Sequence, residues 1–251
     1  DTVLIDNSPD SDSEAFFELL KQENPNIKCL KAFRNLGYFG GAQLGLMQYL
    51  QHHSLPDWII VSNVDLELKD RDFFSKLINM HDLDNVGVIA PAVVSLKWGY
   101  DRNPKMMARP SKHKLRFLHL LYGSSFLLNA YETIARIRRR RTNLVSSLDH
   151  TSNKGTSPAD KGRLDIYAPD GSFIIFSSLF FERGGTIEYP VFLFGEEIFV
   201  AESLIEMDLR AVYEPCLVVH HEDNVSTGSV RSPEITALLR TSIDYLLKRY
   251  Y

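Results

Sequence analysis

The stretch Trp58-Ile59-Ile60-Val61-Ser62-Asn63-Val64-Asp65 passes from an apolar run into a polar tip carrying an acid. A short apolar run of this kind reads as a buried strand, and Asp65 lies just past its end. A carboxylate fixed there, on a rigid element beside a crevice, can bind a hard cation and share it with phosphate oxygens. Mg2+ and Mn2+ suit such a place because they take oxygen ligands and keep positions open for substrate. As three residues alone, Asn63-Val64-Asp65 also fits an aspartate capping the helix that follows, so the rest of the chain has to decide.

Upstream, Val3 to Ile5 reads as a strand that ends in Asp6-Asn7-Ser8-Pro9. Ser11 and Glu14 make a capping-box pattern before a helix with Phe16, Phe17, Leu19 and Leu20 on its apolar face. Ile27 to Ala32 is a second strand, and Ala42 to Gln51 a helix after glycines 37, 40 and 41. Downstream, a helix spans roughly Asp70 to Met80 and a strand Val86 to Val94. This alternation predicts an α/β fold with a mainly parallel sheet flanked by helices. Ligands of such sheets bind at the carboxyl ends of the strands, which marks Asp6, Asn35 and Asp65 as candidates.

Residues Lys97 to Arg163 break the rhythm and read as an insertion with one or two helices and a mobile loop. Regular structure is expected again at Phe173 to Phe176. A helix over Glu196 to Met207, strands at Ala211 to Tyr213 and Leu217 to Val219, and a final helix from Glu234 to Tyr250 follow. No internal repeat is visible, and the reading is a single domain over 1–251.

A chain of 251 residues, 44% hydrophobic and 24% charged, can bury an ordinary globular core. Its net charge of −4 supplies no global field for nucleic acid. Cys29 and Cys216 are isolated, which argues against a zinc knuckle or a disulfide scaffold and suits a reducing, cytoplasmic setting. No run of about 18 apolar residues occurs to span a bilayer, and no signal-peptide pattern is read in these residues. The chain starts without methionine, directly in an apolar run, so further residues are expected to precede it.

Three more segments carry chemistry. In Arg34-Asn35-Leu36-Gly37-Tyr38-Phe39-Gly40-Gly41, glycines at a strand-to-helix joint let backbone approach phosphate or sugar oxygens, although the spacing is no dinucleotide fingerprint. Phe194-Gly195-Glu196-Glu197 puts adjacent acids at a helix start. They serve either as a general base for an acceptor hydroxyl or as plain complement to the helix dipole. Pro215 leads a run to His220-His221, with Ser226 beyond. A histidine there fits a metal ligand, a phosphate contact or a satisfied core residue.

Taken in order, Asp6-Asn7-Ser8, Asn35-x-Gly37-x-x-Gly40-Gly41, Asn63-x-Asp65, Gly184-Gly185, Phe194-Gly195-Glu196-Glu197 and Pro215 through His221 to Ser226 resemble family-2 glycosyltransferases. The likeness is greatest to the rhamnosyltransferase-like branch that builds bacterial polysaccharides, and it covers about three quarters of the chain. It implies a GT-A, Rossmann-like fold and a nucleotide-sugar donor. Asp6 would meet the base or ribose, while Asn7, Asn35, Gly37, Gly40, Gly41 and Asn63 would line the donor site. Asp65 and His221 would hold Mg2+ or Mn2+ with the diphosphate. Glu197, with Glu196 beside it, would be the base of an inverting displacement. Departures are a Glu-Glu pair where the family has Glu-Asp, a first strand missing before Val3, and a large basic insertion at 97–163.

Within that insertion, Arg138 to Arg141 follow an apolar stretch that includes Leu115, Phe117 and Leu128. A basic amphipathic helix over 115–141 can lie on an anionic membrane face, which suits a polyprenyl-linked or glycan acceptor. The alternatives are a metal-dependent nucleotidyltransferase and a catalytically silent nucleotide-sugar-binding module. A glycosidase also uses two carboxylates but needs no nucleotide or metal elements.

Overall fold

Five consecutive buried residues, Phe173 to Ser177, form a strand near the centre of the sheet, between Trp58–Ser62 and Val86–Ser95. The computed structural model describes residues 1–8, 13–124, 126–130, 133, 162–222 and 232–251. In chain order the elements are β1 (Thr2–Asp6), α1 (Glu14–Glu23), β2 (Ile27–Lys31), α2 (Tyr38–Leu50), β3 (Trp58–Ser62), β4 (Leu66–Glu67), α3 (Phe73–Ile78) and β5 (Val86–Ser95). Then come α4 (Lys112–Tyr122), β6 (Leu164–Ile166), β7 (Phe173–Ser177), α5 (Ser178–Glu182), α6 (Glu196–Glu206), β8 (Arg210–His221) and α7 (Pro233–Tyr250). The α/β class and the helix-covered sheet are as the sequence predicts.

Strand pairing is mixed, which corrects the expectation of a mainly parallel sheet. β1 and β2 pair in parallel as a separate two-stranded sheet. The larger sheet has the order β3-β7-β5-β8-β4, with β6 beside β8, and only β5–β8 is parallel. The β3–β7, β5–β7, β4–β8 and β6–β8 pairs are antiparallel. The reason lies in where the chain re-enters. The Ala168–Ser172 segment bonds to Met106, and the Ser172 carbonyl accepts the Asn63 N–H at 2.9 Å, at the end where β3 finishes. A strand entering there must run back against β3. A run buried on both faces reads identically in either direction, so its sequence carries no sign of this.

The alternation of side chains across the sheet produces two cores. Ile174 and Phe176 of β7, with Val88, Ala90 and Ala92 of β5, face the layer of α6 and α7. Phe173 and Ile175, with Ile89 and Val93, face Phe73 and Leu77 of α3. α2 joins the two sheets. Its Gly41 and Gly45 lie against Asn7, Ile5 and Val3 of the β1 segment, while Phe39 enters the first core.

Several boundaries differ from expectation. The two strands expected at 211–213 and 217–219 are one strand, β8, with a register jump where Pro91/Ala92 face Glu214/Val218. β4, β6 and α5 are too short to leave a periodic signal. The N-cap of α1 is Ser13, and Ser11 lies outside the described residues, as do Arg138 to Arg141 and Ser226. Part of 97–163 is tied to the body of the fold by isolated bridges, Asp101 to Val94 of β5 and Met106 to Ala168.

Buried Glu202 of α6 fastens this region to the end of α7. It accepts two bonds from Arg109, each 2.7 Å, one from Tyr167 at 2.6 Å and one from Tyr251 at 3.2 Å. Among the described residues no helix is long and apolar enough to cross a membrane.

Candidate active site

Because β3 and β8 run in the same direction as β5, their carboxyl ends share one edge, and Asp65 and His221 stand there. Asp65 immediately precedes β4, whose Leu66 pairs with His221. That pairing brings His221 Nε2 to 3.7 Å from Asp65 Oδ1, with both side chains largely buried. Two ligands that share an octahedral cation at about 2.1 Å sit about 3 Å apart, so small side-chain adjustments suffice. Among the described residues no third His, Cys, Asp or Glu completes a cluster. Asp65 and His221 could supply two ligands to a divalent cation, whose remaining positions would fall to substrate phosphates or water. The neighbouring His220 has its Nδ1 buried with no hydrogen-bond partner among the described residues.

The loop before α2 is built by Asn7. Its side chain accepts from Leu36 N–H at 2.9 Å and donates to the Gly37 carbonyl at 2.7 Å, so its amide group shapes this loop. Asn35, exposed at the loop tip, accepts the Gly37 N–H at 3.0 Å. Gly37 has φ +76°, and a Cβ there would lie 1.9 Å from the Phe192 carbonyl oxygen. Only glycine allows this backbone and this approach. Gly40 and Gly41 fall inside α2, against Leu36 and Asn7. Asp6 accepts from Ser8 N–H and from the Ser13 hydroxyl, at 2.9 and 2.6 Å.

The contact at Gly37 joins α2 to the segment that aims the paired acids. Phe194 and Gly195 both adopt positive φ, +72° and +87°. A left-handed aromatic residue is an uncommon, costly conformation that its surroundings must enforce. Tyr189 does so: its hydroxyl donates to the Phe194 carbonyl at 2.9 Å and lies 3.0 Å from the Ser242 hydroxyl. The turn sends Glu196 and Glu197 in different directions. Glu196 is buried at 5% exposure, and its Oε1 has no hydrogen-bond partner among the described residues. Burial, reinforced by the charge of Glu197, pushes its carboxyl up to about 7.

Glu197 keeps 20% of its side chain exposed and lies against Gly171, where a Cβ would come within 3.2 Å of its Oε1. Lys105 Nζ stands 3.9 Å from the same oxygen. Burial raises the Glu197 carboxyl above its ordinary value, while Lys105 and the Gly171 N–H pull it down. Lys105 is in turn 3.3 Å from Asp170, which is almost fully buried, also faces Arg102 at 3.4 Å and accepts from Ser172. Burial works to raise the Asp170 carboxyl, but Lys105, Ser172 and Arg102 outweigh it and hold it below the usual range.

These contacts form one continuous chain: Asn7 to Gly37, Gly37 to Phe192, Glu197 to Gly171, Ser172 to Asn63, and Asp65 to His221. Tyr38 sits among them. Its phenol is raised well above the ordinary value, first by burial and then by Glu196, Asp170, Glu197 and Asp65, and its oxygen has no partner among the described residues. Sequence reading did not single out Tyr38, Lys105, Arg102 or Asp170. Asp170-Gly171-Ser172 ahead of an apolar strand repeats the acid-at-strand signal of Asp65, but Lys105 carried no signal. Gly184 and Gly185 lie apart, beside Ser203 and Glu206 on the far half of α6.

This architecture is a GT-A-type fold, shared with glycosyltransferases of known structure. A crystal structure of GalNAc-T7 with UDP, GalNAc and Mn2+ aligns at a TM-score of 0.56 and 15% identity, covering 94% of this chain and 41% of that one. The mannosyltransferase PcManGT from Pyrobaculum calidifontis, in complex with GDP-Man and Mn2+, is more distant. It aligns at a TM-score of 0.45 and 12% identity over 98% of this chain and 62% of its own, too low to bear on the fold. The chain thus spans less than two thirds of either protein. No protein-family model and no curated protein matches the sequence.

Proposed function

We propose that this chain transfers a sugar from a nucleoside-diphosphate donor to an acceptor hydroxyl, with inversion at the anomeric carbon. The observation that supports this reading is the run of contacts from Glu197, seated against Gly171, through the bond between Ser172 and Asn63 to the pair Asp65 and His221. An acid able to take a proton and an acid able to share a cation with phosphate thus stand at the same end of the sheet.

In this reading Glu197 accepts the proton of the acceptor hydroxyl as the new bond forms, a contribution typically worth about 10² to 10⁴ in rate. Asp65 and His221 would hold Mg2+ or Mn2+ together with the donor diphosphate. The ion supplies electrostatic stabilisation of charge on the departing nucleoside diphosphate. Exposed Asn35 would meet the donor, while Asn7, bonded to Gly37, and Gly37, bonded in turn to Asn35, keep the loop in shape. The order of motifs supports membership of family 2 and a rhamnosyl-like donor in bacterial surface polysaccharide assembly. Exposed Phe117, Leu120, Phe126 and Leu127 support contact with a membrane that carries a polyprenyl-linked acceptor.

The test is thermal unfolding with UDP, GDP or dTDP, with and without Mn2+, followed by assay of the released nucleotide. One nucleoside diphosphate should stabilise the protein by about 2.7 kcal/mol at a hundredfold excess over its Kd, only with Mn2+, and not in Asp65→Asn. Release of nucleoside diphosphate should fall at least about a hundredfold in Glu197→Gln. Pyrophosphate release would indicate nucleotidyl transfer, and no stabilisation by any of the three would overturn the reading.

A further inference from the structure

The charges around Glu197 come from two separate segments, one with Asp170 and one with Arg102 and Lys105. Asp170, at 1% exposure, is fixed before any ligand arrives: Asn103 accepts its N–H at 2.7 Å, and the Asn103 amide is tied to the Pro91 carbonyl at 2.8 Å. Ser172 occupies Asp170 Oδ1 through both its N–H and its hydroxyl. Oδ2 is left to the cations, Arg102 and Lys105. Lys105 alone of these two also reaches Glu197. Among the described residues, Asp170 and Glu197 thus face the cations Lys105 and Arg102, with Lys105 between the two acids. Without Lys105, Glu197 would keep Asp170 as a neighbour and lose its cation, and a like charge beside a partly buried carboxyl favours its protonated form. Glu196, Tyr38 and Tyr189 also face this cluster, and none of them can supply a positive charge.

An exposed lysine–carboxylate contact contributes little as a rule. Here one end of the bridge is buried and immobile, so Lys105 is held in place without spending its own side-chain freedom on Glu197. We infer that Lys105, anchored by buried Asp170, is a positioning residue that keeps Glu197 an anion seated against Gly171. The inference rests on Glu197 being the base of the proposed transfer, because a base has to be unprotonated to accept the acceptor's proton. It extends the site to the segment 101–106, which the sequence reading had placed in an insertion.

The test is direct titration of Glu197 in the full chain by carbon-detected NMR of glutamate side chains, with the signal assigned through Glu197→Gln. Lys105→Met should move the Glu197 midpoint up by roughly 1 to 3 pH units, Lys105→Gln should do the same, and Lys105→Arg should restore most of it. If transfer is observed, the acidic limb of kcat/KM should move up in parallel, while the KM for donor changes little. An unmoved midpoint in both Lys105→Met and Lys105→Gln overturns the inference. The titration needs no substrate: a shifted midpoint without transfer refutes only the proposed function, and transfer with an unmoved midpoint refutes only the role of Lys105.

Discussion

Replacing Glu196 by glutamine tests how the α6 turn treats its two acids. Glu196 is 5% exposed, has an unpartnered Oε1 among the described residues and is pushed up to about 7 from an ordinary 4.5. The folded state therefore binds this proton more tightly than the unfolded chain does. The sign follows: stability tied to Glu196 is complete below about pH 4.5 and is lost as pH rises through 7. The gap between those two values corresponds to about 3 kcal/mol at 1.36 kcal/mol per unit, a large part of the 5–15 kcal/mol typical of a domain. Glutamine keeps the shape and does not titrate. Urea unfolding of both proteins from pH 4 to pH 8, without ligand, should show the variant gaining about 3 kcal/mol relative to the parent across that range. Any fixed cost of the amide would offset the whole curve without tilting it. A difference constant to within about 0.5 kcal/mol would refute the burial argument.

Gly37→Ala puts a methyl group 1.9 Å from the Phe192 carbonyl oxygen on a backbone at φ +76°. It should cost about 3 kcal/mol or more in urea unfolding, since neither backbone can yield without breaking the contact between α2 and the Phe192–Glu196 segment. Gly171→Ala meets Glu197 at 3.2–3.4 Å on an unstrained backbone. The fold should survive by circular dichroism, while kcat for sugar transfer falls about tenfold to a hundredfold as the carboxylate is displaced.

The sequence by itself determined that strands and helices alternate, that Asp65 lies just past the end of a strand, and that Glu196 and Glu197 open a helix behind a glycine. Each of these is a local matter: periodicity, an acid at a strand end, or a residue able to adopt positive φ. Only the tertiary structure decided that β7 runs against its neighbours, because a strand buried on both faces has the same pattern in either direction. It also separated the two glutamates, burying one and leaving the other partly open, through a turn at Phe194 that hydrogen bonds from Tyr189 enforce. Lys105, Asp170 and Tyr38 met Glu197 only in three dimensions. Electrostatic influence depends on distance and burial, and neither can be read along a chain in which residues 65 positions apart become neighbours.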